Sequence, residues 1–311
     1  MRPPTGRRGA RQALGLILVG STAIQLSSAL AARLFASLGP LPVSSLRTAI
    51  AAVILCAVFR PRLRGRSRAQ WASVVAYGVA MAAMNLCLYS AIDRIPLGVA
   101  VTLEFLGPCA VAFLASRRVR EGLCAVAAFA GVLLISGPGG HFDAAGYAFG
   151  LGAAAFFALY TVFAEKVGKG DAGLSGLALS VTVAAVVSAP FGIGDVAGVT
   201  AGQWLVLAAV AAMGVAVPYA VDTVAARVSS ARVVGTLFSI DPVVGSLAGF
   251  LVLREHLGWL SVTGILVVAA AGAAVVWCAG PPPVPEPPPA QAEPAAAAGD
   301  GGSGTVSTTR V

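Results

Sequence analysis

Long apolar segments alternate with short polar ones along most of this chain of 311 residues. A helix that crosses a membrane needs about 20 mostly apolar residues, and each candidate segment here ends at charged residues, Pro or Gly. The pattern predicts ten transmembrane helices, of which the fifth is the shortest. They cover residues 13–32, 42–59, 71–91, 97–116, 121–137, 145–164, 173–191, 203–225, 232–252 and 257–279.

The composition also indicates an integral membrane protein. Hydrophobic residues make up 58% of the chain and charged residues only 11%, whereas a soluble domain carries about 25% charged residues. So little charge cannot cover a water-soluble surface, which excludes a cytosolic enzyme or a secreted domain. A count of nine spans is the alternative if the first segment is a cleaved signal peptide, because Arg7, Arg8 and Arg11 precede it and Ala29 and Ala31 form a small-residue cleavage motif.

Basic residues are distributed unevenly between the two sides of the predicted membrane region. Short loops rich in Lys and Arg stay in the cytoplasm. With the amino terminus inside, that terminus and the inner loops hold sixteen Lys and Arg residues, while the outer loops hold only Arg33, Arg94 and Arg254. The bias predicts a multi-pass protein with an even number of spans and both termini in the cytoplasm, including the amino-terminal residues 1–12.

The last segment, residues 280–311, differs in composition from the rest of the chain. It is rich in Pro, Ala, Gly and Ser and has no periodic apolar face that could be buried. Such a composition is typical of a disordered chain that is extended where prolines cluster. We therefore predict a disordered cytoplasmic tail, with a ligand for a proline-recognition domain as the alternative interpretation.

Residue types that carry enzyme, metal or nucleic-acid chemistry are sparse. The five cysteines show no CxxC spacing and neither of the two histidines lies deep in a span, so no metal site is predicted. The sequence contains no GxSxG, HExxH or phosphate-binding P-loop motif. The net charge of +8 arises from short clusters between apolar segments, not from one basic face. We predict no enzyme activity, no cofactor and no nucleic-acid partner.

The chain contains an internal repeat with an offset of 134 residues. The shift places Thr102, Leu103 and Pro108 over Thr236, Leu237 and Pro242, and Arg120 and Glu121 over Arg254 and Glu255. Because each unit has five spans, an odd number, the second copy enters the membrane from the opposite side. The predicted fold class is an all-α membrane protein of two inverted five-helix repeats, residues 13–137 and 145–279. Such inverted repeats are typical of alternating-access transporters.

Two acidic residues lie near the midplane of predicted spans, Glu104 in the fourth and Asp241 in the ninth. A charge at the bilayer centre costs about 2.5 to 3.5 kcal/mol or more and indicates a functional site. Burial favours the protonated carboxyl group, so both acids are candidate proton carriers. Each is tied to a predicted helix break, since Pro108 follows Glu104 by four positions and Pro242 follows Asp241 directly. The alternative is a structural acid bonded to a neighbouring helix.

Other polar residues could line a cavity between the predicted spans. Arg47, about one turn into the second span, could hold a substrate carboxylate or a buried acid, or it could extend to the outer interface. Asn85 and Tyr89 lie one turn apart on the third span, and Gln25 lies on the first. Each alone could equally join two helices by a hydrogen bond.

A third acid, Asp222, follows Pro218 near the inner end of the eighth span. Asp222 could couple transport to protons, or it could simply be hydrated at the membrane surface. The candidate residues therefore form three groups. We expect substrate binding by Gln25, Arg47, Asn85, Tyr89 and Glu104, proton coupling by Glu104, Asp222 and Asp241, and helix breaks at Pro108, Pro218 and Pro242.

Several segments resemble a known family, the ten-span drug/metabolite transporter superfamily with paired EamA repeats, and within it the bacterial threonine/homoserine exporters. The resemblance covers about residues 13–279. Its segments are Ser44–Pro61, like the second span of those exporters; Met84 and Asn85, like the third; Pro96–Pro108, like the fourth; Val217–Asp222, like the eighth; and Ser239–Leu257, like the ninth.

The resemblance implies efflux of small hydrophilic amino acids across a bacterial inner membrane, driven by protons, with a site between the halves at Arg47, Asn85 and Glu104. It also leads us to expect Glu where this chain has Asp222 and Asp241, which puts the size of the ligand in question. The expected partners are thus a small-molecule substrate, protons and the lipid bilayer. Transport of another metabolite or of a cationic drug is the alternative within this class, and a non-transporting scaffold or channel is the alternative outside it.

Overall fold

The described part of the chain is α-helical. In the computed structural model, the described residues are 7–115, 126–128, 130–132, 134–135, 143–168, 173–216, 218 and 239–278, and these contain no β-strand. The helices are α1 (Arg7–Ala32), α2 (Phe35–Leu38), α3 (Pro40–Phe59), α4 (Arg68–Ile92), α5 (Leu97–Ala115), α6 (Ala144–Gly168), α7 (Gly173–Ser188), α8 (Ala201–Ala211), α9 (Asp241–Ala248) and α10 (Trp259–Cys278).

Local sequence sets several of the helix ends. Helices α4 and α8 each begin with a capping box, in which Ser67 pairs with Gln70 and Thr200 with Gln203 through side chain and backbone. Gly39, with φ +81°, turns the chain between α2 and α3, a conformation that glycine adopts without steric cost. The local sequence therefore determines where these helices begin.

Two helices continue as π-helical turns, which the apolar pattern does not predict. Helix α8 continues through Ala212–Ala216 and helix α9 through Gly249–Leu253. Such turns are rare and are often found at functional sites.

Three of the described helices are long and apolar enough to cross a membrane: Pro40–Phe59, Arg68–Ile92 and Ala144–Phe163. Shorter apolar helices lie at Leu18–Ala32, Leu97–Val111, Ser175–Phe191, Ala201–Val215, Asp241–Leu253 and Trp259–Ala274. Each of these helices overlaps a predicted span. The predicted fifth span, residues 121–137, falls largely outside the described residues, as do Asp222 and the predicted tail.

Contacts between helices give their relative directions. Along α1 and α9, Ser21 contacts Asp241, Gln25 faces Gly245, and Arg33 reaches the carbonyl of Val252. Residue numbers rise together on the two helices, so α1 and α9 run parallel. The contact between α1 and α9 therefore extends over about three helical turns.

Helices α5 and α9 instead run antiparallel. Leu97 lies against Gly249, Gly98 against Ser246, and Val101 against Gly245, so residue numbers rise on one helix as they fall on the other. By the same argument α3 and α7 are antiparallel, from Ser45 near Gly192 and Cys56 near Thr182. Helices α5 and α6 are parallel, from Ile95 near Gly146 and Gly107 near Ala154. These directions agree with a chain in which successive predicted spans alternate in direction.

Buried apolar residues form two main clusters. One includes residues of α1, α3, α4, α5 and α8, and the other includes residues of α3, α4 and α7. Helices α3 and α4 contribute to both clusters and so connect them. A cavity lined in part by polar side chains lies beside these two helices.

Candidate functional site

A cavity of about 260 Å³ lies among the helices, lined by side chains from α1, α3, α4, α5, α6, α7 and α9 and from the π-turn after α8. This volume is slightly below the range of about 300 to 1,000 Å³ that is usual for ligand pockets. Six candidate residues from the sequence line it together: Gln25, Arg47, Asn85, Glu104, Pro218 and Asp241.

The cavity involves equivalent positions of the two repeats. With the offset of 134 residues, Met81 corresponds to Val215, Met84 to Pro218, and Arg47 to Val181. Both members of each pair line the cavity. The cavity therefore lies where the two halves of the chain meet, although the paired side chains differ in chemistry.

Arg47 is held in place by two residues of α4. A terminal guanidinium nitrogen of Arg47 donates to Asn85 Oδ1 at 2.7 Å, and the guanidinium carbon lies 4.9 Å from the centre of the Tyr89 ring. Asn85 is itself fixed, because its Nδ2 donates to the carbonyl of Met81 at 2.9 Å. A cation above an aromatic face is favourable, more so away from water. The arrangement keeps the guanidinium at the cavity wall, with further donors for an anion.

Tyr89 supports this arrangement from behind. Its side chain is completely buried, and its ring packs against Phe35 with 5.5 Å between centroids. Tyr89 is not among the residues that line the cavity. It thus lies beneath Arg47 and away from the position a ligand would occupy.

Glu104 and Asp241 supply negative charge opposite Arg47. Glu104 lies on α5 and is 8% exposed, and the charges that act on it are those of Asp241 and Arg47. Among the described residues that line the cavity, Arg47 is the only basic one and these two are the only acidic ones. The site therefore combines one cationic and two carboxyl groups in a small space.

Asp241 is positioned by its own helix and by α1. It lies in the first turn of α9, where the helix dipole favours a negative charge. The hydroxyl of Ser21 donates a hydrogen bond to Asp241 Oδ1. Position and partner together hold this carboxylate at the contact between α1 and α9.

The three candidate prolines have different settings. Helix α5 continues through Pro108 to Ala115, and Pro108 leaves the carbonyl of Glu104 without its usual backbone donor. Pro242 lies in the first turn of α9, where a missing N–H costs little. Pro218 is buried and lines the cavity. Asp222, the remaining candidate, lies outside the described residues.

Several residues of the site were not predicted from the sequence. Ser28 and Thr48 line the cavity, and Ser21 holds Asp241. A signal was present for α1, since Ser21, Gln25 and Ser28 follow the i, i+4, i+7 spacing of one helix face. The side chain of Gln25 is 4% exposed, and its Oε1 accepts no hydrogen bond from the described residues.

Comparison with known proteins gives consistent results. The model of the EamA-like transporter family matches the sequence twice, over residues 11–137 and 144–277. The threonine/homoserine exporter RhtA of Escherichia coli is 33% identical over 268 residues, which cover 84% of this chain and 90% of the exporter. The exporter of the same name from Salmonella typhimurium is 32% identical over 262 residues, covering 82% of this chain and 88% of its own.

A solved crystal structure of a protein is among those that share the fold. It superposes with a TM-score of 0.56 and 18% sequence identity, covering 84% of this chain and 97% of that chain. At this identity the similarity concerns the fold alone.

Proposed function

The chain belongs to the EamA-like transporter family, and from this premise we propose that it exports small hydrophilic amino acids of the threonine and homoserine type by proton antiport. It is a membrane transporter and not an enzyme, since its relatives are named exporters and match most of its length. The finer assignment comes from the chemistry of the cavity.

The observation that carries the proposal is the charge arrangement around the cavity. A free amino acid at neutral pH has one carboxylate and one ammonium group. Arg47 presents guanidinium donors to the carboxylate, and such charge-assisted bonds are among the strongest in proteins. Glu104 and Asp241 are acceptors for the ammonium group. A cavity of about 260 Å³ suits a small side chain.

Gln25 supplies a further polar contact for this substrate class. A buried acceptor without a donor is costly, so the Oε1 atom of Gln25 favours a ligand that brings a donor to it. An ammonium group or a side-chain hydroxyl meets that requirement. Threonine and homoserine carry both groups.

The excess of acidic groups at the cavity supports the coupling to protons. Glu104 and Asp241 bring two carboxyl groups to one site, and their mutual repulsion favours a proton on one of them when the cavity is empty. An ammonium group can replace that proton as counter-charge. Substrate and proton would then compete for the same acceptors, which is the requirement for antiport.

The proposed cycle uses two inverted five-helix halves and alternating access. Two observations support the halves: the family model matches each of them, and contact between α1 and α9 at Ser21 and Asp241 has a counterpart between α6 and α5. With the offset of 134 residues, Asp241 corresponds to Gly107, which packs against Ala154. Ten spans, cytoplasmic termini and the bacterial inner membrane complete the proposal.

A second candidate substrate is a small organic cation. It is favoured by the same excess of acid, because Glu104 and Asp241 together outweigh the charge of Arg47. The carboxylate of the substrate distinguishes the two candidates, since only an amino acid makes use of Arg47.

Uptake of labelled threonine and homoserine into inside-out vesicles tests the proposal. We expect uptake that depends on the proton gradient in the parent protein and falls to background in Glu104→Gln or Asp241→Asn. The matched control is Asp143→Asn, which neutralises an exposed carboxylate outside the cavity and should leave uptake unchanged.

Two results would contradict the proposal. Absence of uptake by folded parent protein, in vesicles that hold a gradient, would overturn the amino-acid assignment. Uptake that persists unchanged in both acid variants would overturn the assigned proton carriers.

A further inference from the structure

Glu255 makes a contact that bridges the two halves of the chain. It follows the π-turn that ends α9, and both of its carboxylate oxygens lie within hydrogen-bond distance of the backbone N–H of Leu97, at 3.1 and 3.0 Å. Leu97 is the first residue of α5. The amino-terminal end of α5 is thus capped by a side chain 158 positions away.

The local sequence of α5 provides no equivalent cap. The preceding residue is Pro96, which has no side-chain acceptor, whereas α4 and α8 are capped by their own Ser67 and Thr200. The first N–H groups of a helix lack partners within the helix, and a carboxylate is favoured there by the helix dipole. Helix α5 therefore depends on Glu255 for this interaction.

The helix ends beside Glu255 pack closely against each other. A side chain on Gly98 would meet Ser246, whose Cα would lie 2.6 Å from it, and a side chain on Gly249 would meet the Glu255 carboxylate and Leu97. Arg33, at the end of α1, donates to the carbonyl of Val252 at 2.8 Å. These contacts join α1 and α5 of the first half to the end of α9 in the second half.

This packed region lies directly beyond the cavity. On α5 the lining residues begin at Val101, and on α9 the lining residue is Asp241. Leu97, Gly98, Ser246 and Gly249 lie farther along the same two helices, toward the face where α1 ends. The region therefore separates the cavity from that face.

The Glu255 carboxylate is partly removed from water. Burial raises the pKa of its carboxyl group above the ordinary value, and the hydrogen bond from Leu97 acts in the opposite direction. A poorly hydrated carboxylate gains more from a charge-assisted hydrogen bond than an exposed one does. Glu255 is thus suited to hold two elements together.

We propose that Glu255 is the latch of a gate, whose carboxylate closes the cavity on the face where α1 ends by holding α5 against the end of α9. This inference rests on the proposed transport function, because a gate has a role only if the cavity opens to two sides. When the halves move apart at this face, the bond to Leu97 breaks. Arg33 and the glycine contacts assist the same closure.

Chemical labelling of the cavity tests the latch. A cysteine replaces Ser28, a lining residue, in a full-length chain whose five natural cysteines are changed to alanine. A membrane-impermeant maleimide is applied to intact cells and separately to inside-out vesicles. A second variant, with cysteine at exposed His256, identifies the preparation in which the Glu255 face is accessible.

From the Glu255 face, Glu255→Ala should increase the labelling rate about tenfold, equivalent to about 1.4 kcal/mol, without an increase from the opposite face. Glu255→Gln should give a smaller increase, because an amide oxygen still accepts one hydrogen bond. The matched control is Ser67→Ala, which removes the cap of α4, whose hydrogen bonds join only Ser67 and Gln70, and should leave both rates unchanged.

An unchanged rate from the Glu255 face in Glu255→Ala would overturn the latch. Equal increases from both faces would also overturn it, because they indicate a loosened fold. The assay contains no substrate, so labelling that follows the expectation without any threonine uptake retains the latch and rejects only the amino-acid assignment.

Discussion

The contact between α5 and α9 has two regions that differ in chemistry. Near the end of α9, Gly98 lies so close to the backbone of Ser246 that a methyl group does not fit, and Gly249 leaves room for the Glu255 carboxylate. Two turns along, Glu104 and Asp241 face a cavity. Close packing excludes water and substrate, whereas the charged groups require space for a counter-charge. One pair of helices thus provides both a closed region and a binding region.

Equivalent positions of the two repeats carry different side chains. At the offset of 134 residues, Glu104 corresponds to Phe238 and Asp241 to Gly107. Each half therefore contributes one acid, at positions that are not equivalent. Similar halves can exchange conformations, while an asymmetric site can bind the different ends of a zwitterion. Substitutions in the closed region should therefore affect stability, and substitutions in the binding region should affect transport.

The largest effect is expected in the cavity, for Arg47→Met. Removing one partner of a buried, hydrogen-bonded charge pair weakens binding by about 2 to 5 kcal/mol, so threonine uptake should fall about 100-fold or more. An amino alcohol, which lacks the carboxylate, should be bound as well as before. Radiolabel uptake and competition in vesicles measure both effects.

Arg62→Met, which removes an exposed arginine outside the cavity, is the control for Arg47→Met and should behave like the parent. Equal loss of binding for the amino acid and the amino alcohol would contradict the role of Arg47 as a carboxylate partner.

In the closed region, Gly98→Ala should lower the free energy of unfolding. Overpacking typically costs about 1 to 3 kcal/mol, and we expect the upper end because the Cα atom of Ser246 cannot rotate away. Thermal unfolding in detergent measures the change. Gly202→Ala is the matched control, since nothing lies within 4 Å of the added atom. Its free energy of unfolding should not fall, because alanine is a better helix former than glycine by about 1 kcal/mol. Parent-like stability of Gly98→Ala would show that the helices do not pack this closely.

A smaller effect is expected beside the cavity, for Ser21→Ala. Loss of a hydrogen bond to a charged group costs about 1.5 to 3 kcal/mol, and here it frees the Asp241 carboxylate to move. We expect the apparent affinity for threonine to fall about tenfold while the variant folds normally. Ser37→Ala, at an exposed serine away from the cavity, serves as the comparison. An affinity equal to that of the parent would mean that α9 alone positions Asp241.

The smallest effect is expected for Asp143→Asn, at the start of α6. The hydrogen bond from the Gly146 backbone is the main cause that lowers the pKa of Asp143, and Arg94, 3.6 Å away, acts in the same direction. A lowered pKa means that the stabilisation is complete at neutral pH and is lost as pH falls from about 4, the ordinary pKa of aspartate, through the lowered pKa of the folded protein. Because both side chains are exposed, unfolding temperatures of parent and variant should differ little at pH 7 and converge in acid. A large difference at pH 7 would contradict this interpretation.

The hydrophobic pattern predicted the helices well because a spanning segment must be long and apolar wherever it lies in the fold. Helices α3, α4 and α6 illustrate this, with bounds within a few residues of the predicted spans. The π-turns at Ala212–Ala216 and Gly249–Leu253 were not predicted, since the apolar pattern does not distinguish a single π-helical turn from an α-helical one. The prolines were only partly informative: Pro242 begins a helix, and α5 continues through Pro108.

For the site, the sequence identified the charged residues because charge within an apolar span is rare. Glu104, Asp241 and Arg47 were found in this way. The sequence did not indicate which of them share a cavity, nor that Ser21 would bond to Asp241 across 220 positions. It also did not distinguish Tyr89, which lies behind Arg47, from residues that line the cavity. Such relations depend on distances between helices, which composition does not encode.

By itself, the sequence of this protein determined that it is a helical membrane protein, that its chain is duplicated, and that a few charged residues lie within its spans. These properties follow from local chemistry and from the cost of placing charge in lipid. Only the tertiary structure decided that Arg47, Glu104 and Asp241 face one cavity and that Glu255 caps a helix of the other half. Both arrangements depend on helix register, which is set when glycine contacts and long-range hydrogen bonds form together.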